Sequence, residues 1–201
     1  MKRIILLFIL HSSLFTLHFA LAQERIRDIY AAAPDSIFPL LTKNNRLDQI
    51  DFRENNMKAE VKNKFDGHSE LLVLSERYLQ LRLSDHCLVE MKLLSDSTFC
   101  MVQTYSAPAP DSRVRLFDTA WHELPQTINR PSVDDFLSED VDIDVRLALQ
   151  ALPLIKASLS ENDDTITFEL QTSELTREQR KLIEGKTRQI VQKVIAEEKR
   201  L

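Results

Sequence analysis

The middle of this chain is a succession of short alternating runs joined by turns too short for any crossover. Met57, Ala59, Val61, Asn63 and Phe65 alternate with Lys58, Glu60, Lys62 and Lys64, the period of a strand with one face in water. Asp66-Gly67 follows at once, and both residues tolerate the positive φ of a tight hairpin. Leu71 to Ser75 returns, and Tyr78 to Leu83 sets Leu79, Leu81 and Leu83 against Gln80 and Arg82. Two further runs, Cys87 to Leu94 and Thr98 to Tyr105, flank Ser95-Asp96-Ser97. A parallel pair needs a crossover of about a dozen residues or more, so these neighbours must form an antiparallel meander.

If Ser95-Asp96-Ser97 is the hairpin turn, Leu94 faces Thr98 and Lys92 faces Cys100. Cys87 then lies roughly 17 Å along the strand from the partner of Cys100. A disulfide needs Cα atoms within about 7 Å, so none is expected between Cys87 and Cys100. Neither cysteine has a C-x-x-C partner or a histidine at zinc-ligand spacing.

Helical patterns flank the meander. Glu24 to Leu41 places Ile26, Ile29, Tyr30, Ile37, Phe38 and Leu41 at apolar positions, with breaks at Pro34 and Pro39. Pro131-Ser132 opens a helix through Leu137, and Val145 to Leu152 forms another before Pro153. Ile166, Phe168 and Leu170 mark one more strand. Thr176 to Lys199 has the pattern of a long helix, opened by a Thr176–Gln179 capping box. The expected fold is one α+β domain over residues 23–201, a mostly antiparallel meander sheet with N-terminal and C-terminal helices packed on one face.

Residues 1–22 combine a basic start, an apolar run and Ala20-Leu21-Ala22, the layout of a signal peptide cleaved near Ala22. A periplasmic or secreted product is expected. No second apolar run approaches the length of a transmembrane helix. The formal charge is -5, which gives no general attraction for nucleic acid. Gly67 and Gly185 are the only glycines, too few for Walker or dinucleotide-binding loops, and no G-x-S-x-G elbow occurs. No cofactor is expected.

Three sets of residues carry candidate chemistry. Asp140, Asp142 and Asp144 read D-x-D-x-D, the opening of a calcium loop, but Val145 stands at the turn-glycine position and Ala151 at the bidentate glutamate. Trp121, Tyr105 and His122 are candidates to line a ligand groove, although aromatic residues at strand ends more often fill cores. The charges on Lys58, Glu60, Lys62 and Lys64 suit an exposed sheet edge guarded against aggregation. The leucine-rich sheet face is core if covered, and a surface for lipid or apolar peptide if left open.

Asp35-Ser36-Ile37-Phe38-Pro39-Leu40-Leu41-Thr42-Lys43-Asn44-Asn45-Arg46-Leu47-Asp48, with Asn56-Met57-Lys58-Ala59-Glu60-Val61 and Val102 to Ser112, resembles the secreted Bacteroidales-type family known as domain of unknown function 3256. The resemblance implies export and a bacterial envelope setting. The family has no established activity, so no catalytic residue is carried over. The resulting expectation is a non-enzymatic periplasmic module for an apolar ligand or envelope partner. The alternatives are a hydrolase around His122 or the acidic cluster, and a calcium-stabilised envelope protein.

Overall fold

The computed structural model describes residues 25–125 and 128–195; the expected signal peptide lies outside the described residues. Two helices, α1 (Ile26–Ala31) and α2 (Lys43–Glu54), lead into seven strands: β1 (Glu60–Lys62), β2 (His68–Leu74), β3 (Tyr78–Ser84), β4 (Cys87–Leu93), β5 (Thr98–Ser106), β6 (Pro110–Asp118) and β7 (Glu123–Leu124). These form one sheet in the order β1-β2-β3-β4-β5-β6-β7, antiparallel throughout. Helices α3 (Val133–Phe136) and α4 (Ile143–Ala151) follow, then β8 (Ile155–Leu159), β9 (Thr165–Leu170), α5 (Arg177–Leu182) and β10 (Ile190–Lys193). The last three strands make a second antiparallel sheet in the order β10-β9-β8. The fold is mixed α+β and mostly sheet.

The turns that dictate the meander are built as their residues require. At the β1–β2 turn Asp66 takes a left-handed φ of 62°, and Asn63 Oδ1 accepts from the N–H groups of Phe65 and Gly67. A Cβ at Gly67 would sit 3.2 Å from Asn63 Nδ2, so the turn closes tightly around glycine. At the β4–β5 turn the Leu94 N–H donates to the Thr98 carbonyl at 2.9 Å, and Lys92 pairs with Cys100 in register. Both cysteines are free and buried, and they belong to the cores on opposite faces of the sheet. The charged run lies on and around edge strand β1, where Lys58 pairs with Glu60 and Lys62 with Asp66, each at 2.7 Å.

Each face of the large sheet has its own cover. Leu79, Leu81, Val89, Met91, Phe99 and Met101 pack with Ile26, Ile29 and Tyr30 of α1, Phe38 and Leu41, and Ile50 of α2. Cys100, Val102, Val114 and Leu116 point the other way and pack with Ile155, Ala157, Leu159, Ile166 and Phe168 of the small sheet. Burying one such side chain stabilises by about 1.5–3 kcal/mol, so two filled faces supply most of the driving force.

The C-terminal segment corrects one expectation. The long helix over Thr176 to Lys199 is instead a six-residue helix with no buried residue, followed by a strand. Its capping box forms: Thr176 Oγ1 accepts from the Gln179 N–H at 3.2 Å, and Gln179 Oε1 accepts from the Thr176 N–H at 3.0 Å. Gly185, left-handed at φ 74°, then turns the chain, and Ile190 to Lys193 pair with Phe168 to Thr165. Ile190, Val191 and Val194 satisfy a helical period as well as a strand, and pairing with β9 decides between them. The second face of the sheet is therefore covered by strands, and the C-terminal helix is no part of that cover. Helix α5 adjoins a satellite cluster in which Val133, Leu137, Val145 and Leu149 pack with Leu175 and Ile183.

A polar knot sits among the apolar residues on this strand-covered side. Glu90, almost fully buried, accepts from Tyr78 Oη at 2.7 Å and from Gln80 Nε2 at 3.5 Å. Burial raises its carboxyl above the ordinary glutamate range despite those hydrogen bonds. Beside it Lys92, also buried, donates Nζ to the Glu161 carbonyl at 2.7 Å, tying β4 to the β8–β9 turn.

Candidate functional site

The sequence-predicted residues fall in three separate places. Trp121 is 8% exposed, and its ring lies 4.8 Å from Phe99, 5.5 Å from Phe117 and 5.9 Å from Phe38 between centroids. Its Nε1–H donates to the Ile29 carbonyl at 3.0 Å, which fixes α1 on the sheet. Tyr105 stands at the far end of β5, six residues from Phe99 and so about 20 Å away, with half its surface exposed. The fold does not bring the two aromatics into one groove.

His122 is 77% exposed and its Nδ1 lies 2.9 Å from Asp118 Oδ2. Asp118 Oδ1 also accepts the His122 backbone N–H at 2.8 Å. Burial would raise the Asp118 carboxyl, yet these His122 contacts hold it below the ordinary aspartate range. The pair closes the turn in which Trp121 takes a left-handed φ of 68°. Among the described residues no hydroxyl or thiol hydrogen-bonds the other ring nitrogen, so no nucleophile completes a triad here.

The acidic residues are spread among structural tasks. Asp142 caps α4 by accepting the Asp144 N–H at 2.9 Å, and Asp140 pairs with Lys186 Nζ at 2.9 Å. Asp144 is exposed in the first turn of α4, where the helix dipole favours it. Among the described residues no group of three or more His, Cys, Asp or Glu side chains could hold a metal ion.

Three grooves among the described residues are rich in charged side chains. A groove of about 580 Å³ between the sheets is lined by Arg77, Lys92, Glu161, Asp163, Asp164 and Lys193, among others. Smaller grooves of about 360 and 310 Å³ adjoin α5 and α1 and are likewise rich in charge. None has the mostly apolar lining of a lipid or drug-like site.

The most distinctive arrangement surrounds Tyr105, on the helix-side face of the sheet beyond the reach of α1 and α2. Strand register sets Cys87 opposite Tyr105, Gln103 opposite Arg113, and Met101 opposite Arg115. The Arg115 side chain is only 13% exposed, and its guanidinium lies over the Phe117 ring at 5.1 Å. Five N–H donors emerge from that group. Among the described residues they find one hydrogen-bond acceptor, Gln103 Oε1 at 3.4 Å; Glu123 stands off at 3.9 Å, and the buried Nε has no partner there. The other poorly exposed arginines differ. Arg46, Arg77 and Arg146 each find two or more acceptors within 3.5 Å, although the Nε of Arg46, like that of Arg115, is unpaired.

Electrostatics agree with the geometry. Burial lowers the affinity of Arg115 for its proton, neighbouring Arg113 lowers it further, and Glu123 only partly offsets them. Tyr105 is raised by burial and by Cys87, against the pull of both arginines. Cys87 is raised by burial, and its Sγ accepts from Gln103 Nε2 at 3.6 Å, so it is a poor nucleophile. This face can hold an anion or an aromatic contact. Of its members only Tyr105 was legible in sequence, because Arg113, Arg115 and Gln103 meet through strand register.

Sheet-dominated α+β architecture with a cationic sheet face is thus the class of protein defined here. The chain belongs to the family described as protein of unknown function (DUF3256), which matches residues 18–193. It is also similar to a solved structure of a domain of an uncharacterized protein from Porphyromonas gingivalis W83. That likeness has a TM-score of 0.70 at 22% identity, over 84% of this chain and 92% of the other, and it shows the shared fold. No curated protein matches the chain. No helix among the described residues is long and apolar enough to cross a membrane.

Proposed function

We propose that this chain is exported after cleavage near Ala22 and serves in the envelope of a Bacteroidales-type bacterium as a non-enzymatic binding module. Its partner docks on the open end of the helix-side sheet face, around Tyr105, Arg113 and Arg115. The observation that carries this reading is the Arg115 guanidinium, withdrawn from water yet given, among the described residues, one weak acceptor and a distant Glu123 carboxylate. Desolvating a charge without pairing it is costly, and such a cost persists where a ligand supplies the missing partner. Tyrosine and arginine are also the residues over-represented at protein–protein hot spots. The filled apolar faces favour a macromolecular partner over the apolar ligand expected from sequence.

Photo-crosslinking tests this directly. Benzoylphenylalanine in place of Tyr105, in the producing cells, is expected to give a discrete adduct with an envelope protein that is lost on Arg115→Met. The same probe in place of Phe65, more exposed than Tyr105 and on the β1–β2 turn, is expected to give none. No adduct from position 105, or the same adducts from both positions, would contradict the proposal.

A further inference from the structure

Resting on that reading, we infer that the partner presents a carboxylate to this face: an acidic peptide segment whose Asp or Glu side chain seats against Arg115 and Arg113, beside the Tyr105 ring. The inference starts from unmet donors. Arg115 carries a planar fork that matches a carboxylate bidentately, and its one protein acceptor is a neutral amide oxygen at 3.4 Å. Arg113 projects from the same strand two residues away, on the same face, with its side chain 67% exposed. Glu123 is the acid nearest to both, at 3.9 and 4.0 Å, outside hydrogen-bonding range. Two cations against one stand-off anion leave about one positive charge, which a single incoming carboxylate neutralises.

A peptide fits this place better than a free small anion. Small-ligand sites enclose most of their ligand's surface, and one uncompensated charge on an open sheet face is too exposed to hold a free anion tightly. A peptide adds flat contact on half-exposed Tyr105, whose ring and hydroxyl serve both an apolar and a polar neighbour. Apolar cover is already supplied to the rest of the face by α1 and α2, so the docking area is confined to the end of β4, β5 and β6.

The test uses fluorescein-labelled, C-amidated hexaglutamate and hexaglutamine peptides, free glutarate and single-stranded oligothymidylate, read by fluorescence anisotropy or its competition at low salt. Side-chain nitrogen NMR of Arg115 reports the location. Hexaglutamate is expected to bind at least about tenfold more tightly than hexaglutamine and to move the Arg115 Nε–H resonance. It should weaken about tenfold on Arg115→Lys, which keeps the charge but loses the fork, and also on Arg113→Ala, a change at an exposed position. Equal binding of hexaglutamine at the Tyr105 ring would overturn the carboxylate while leaving the docking face intact. Glutarate matching the peptide, or oligothymidylate exceeding it, would overturn the peptide in favour of a small anion or nucleic acid. An Arg115 resonance unmoved by hexaglutamate would overturn the inference outright, and crosslinking from position 105 would then decide the broader reading alone.

Discussion

Trp121→Ala is expected to destabilise the protein by about 3–5 kcal/mol, the range for removing a large aromatic from a core. Three aromatic neighbours lose their contact at once, and α1 loses the Nε1–H bond to the Ile29 carbonyl that pins it to the sheet. The left-handed backbone at position 121 adds strain that the packed indole helps to offset, together with the Asp118–His122 bonds that close the turn. Urea denaturation followed by circular dichroism measures the loss, and Trp121→Phe should recover part of it. A cost below about 1 kcal/mol would place the indole outside the core and return it to consideration as a ligand residue.

Arg46→Ala is expected to cost about 3 kcal/mol or more, although arginine is usually a surface residue. Its side chain is the largest of the fully buried ones, at 1% exposure. Nη2 donates to the Ala33 carbonyl at 2.5 Å, and Nη1 to the Leu41 carbonyl at 3.5 Å and to Asp35 at 3.1 Å. One group thus staples the segment between α1 and α2 onto α2. Its removal strips donors from two backbone carbonyls, at about 1–3 kcal/mol for each left unsatisfied, and opens a cavity. Asp35→Ala, at the exposed end of the same network, should cost no more than about 1 kcal/mol. Comparable losses in the two variants would show that the ion pair, and not the carbonyl staple, holds the segment.

How far the sequence revealed this fold depended on how local each cause is. The meander was legible because Asp66-Gly67 and Ser95–Ser97 leave no room for a crossover, and Lys92 does pair with Cys100. Of the second sheet only β9 was legible, from the alternation of Ile166, Phe168 and Leu170. Ile155, Ala157 and Leu159 alternate over only five residues, and no strand was expected there. Ile190 to Ile195 fits both periods, so its state is set by β9, which is distant in sequence. The candidate face was less legible still. Nothing near Arg115 in sequence distinguishes it from Arg113; what does so is Phe117 beneath it and Gln103 across the register. The D-x-D-x-D run was visible at once, yet its carboxylates serve as a helix cap and an ion pair.

If Arg115 is kept for binding at the expense of stability, replacing it with methionine should make the protein more stable. Methionine keeps much of the stem that packs on Phe117 while removing a desolvated charge with one long hydrogen bond. Arg115→Met is expected to be stabilised by about 0.5–2 kcal/mol in urea denaturation, the usual gain when a residue strained for function is relaxed. A loss of about 2 kcal/mol or more would show that the guanidinium holds the sheet together, and would contradict a binding role.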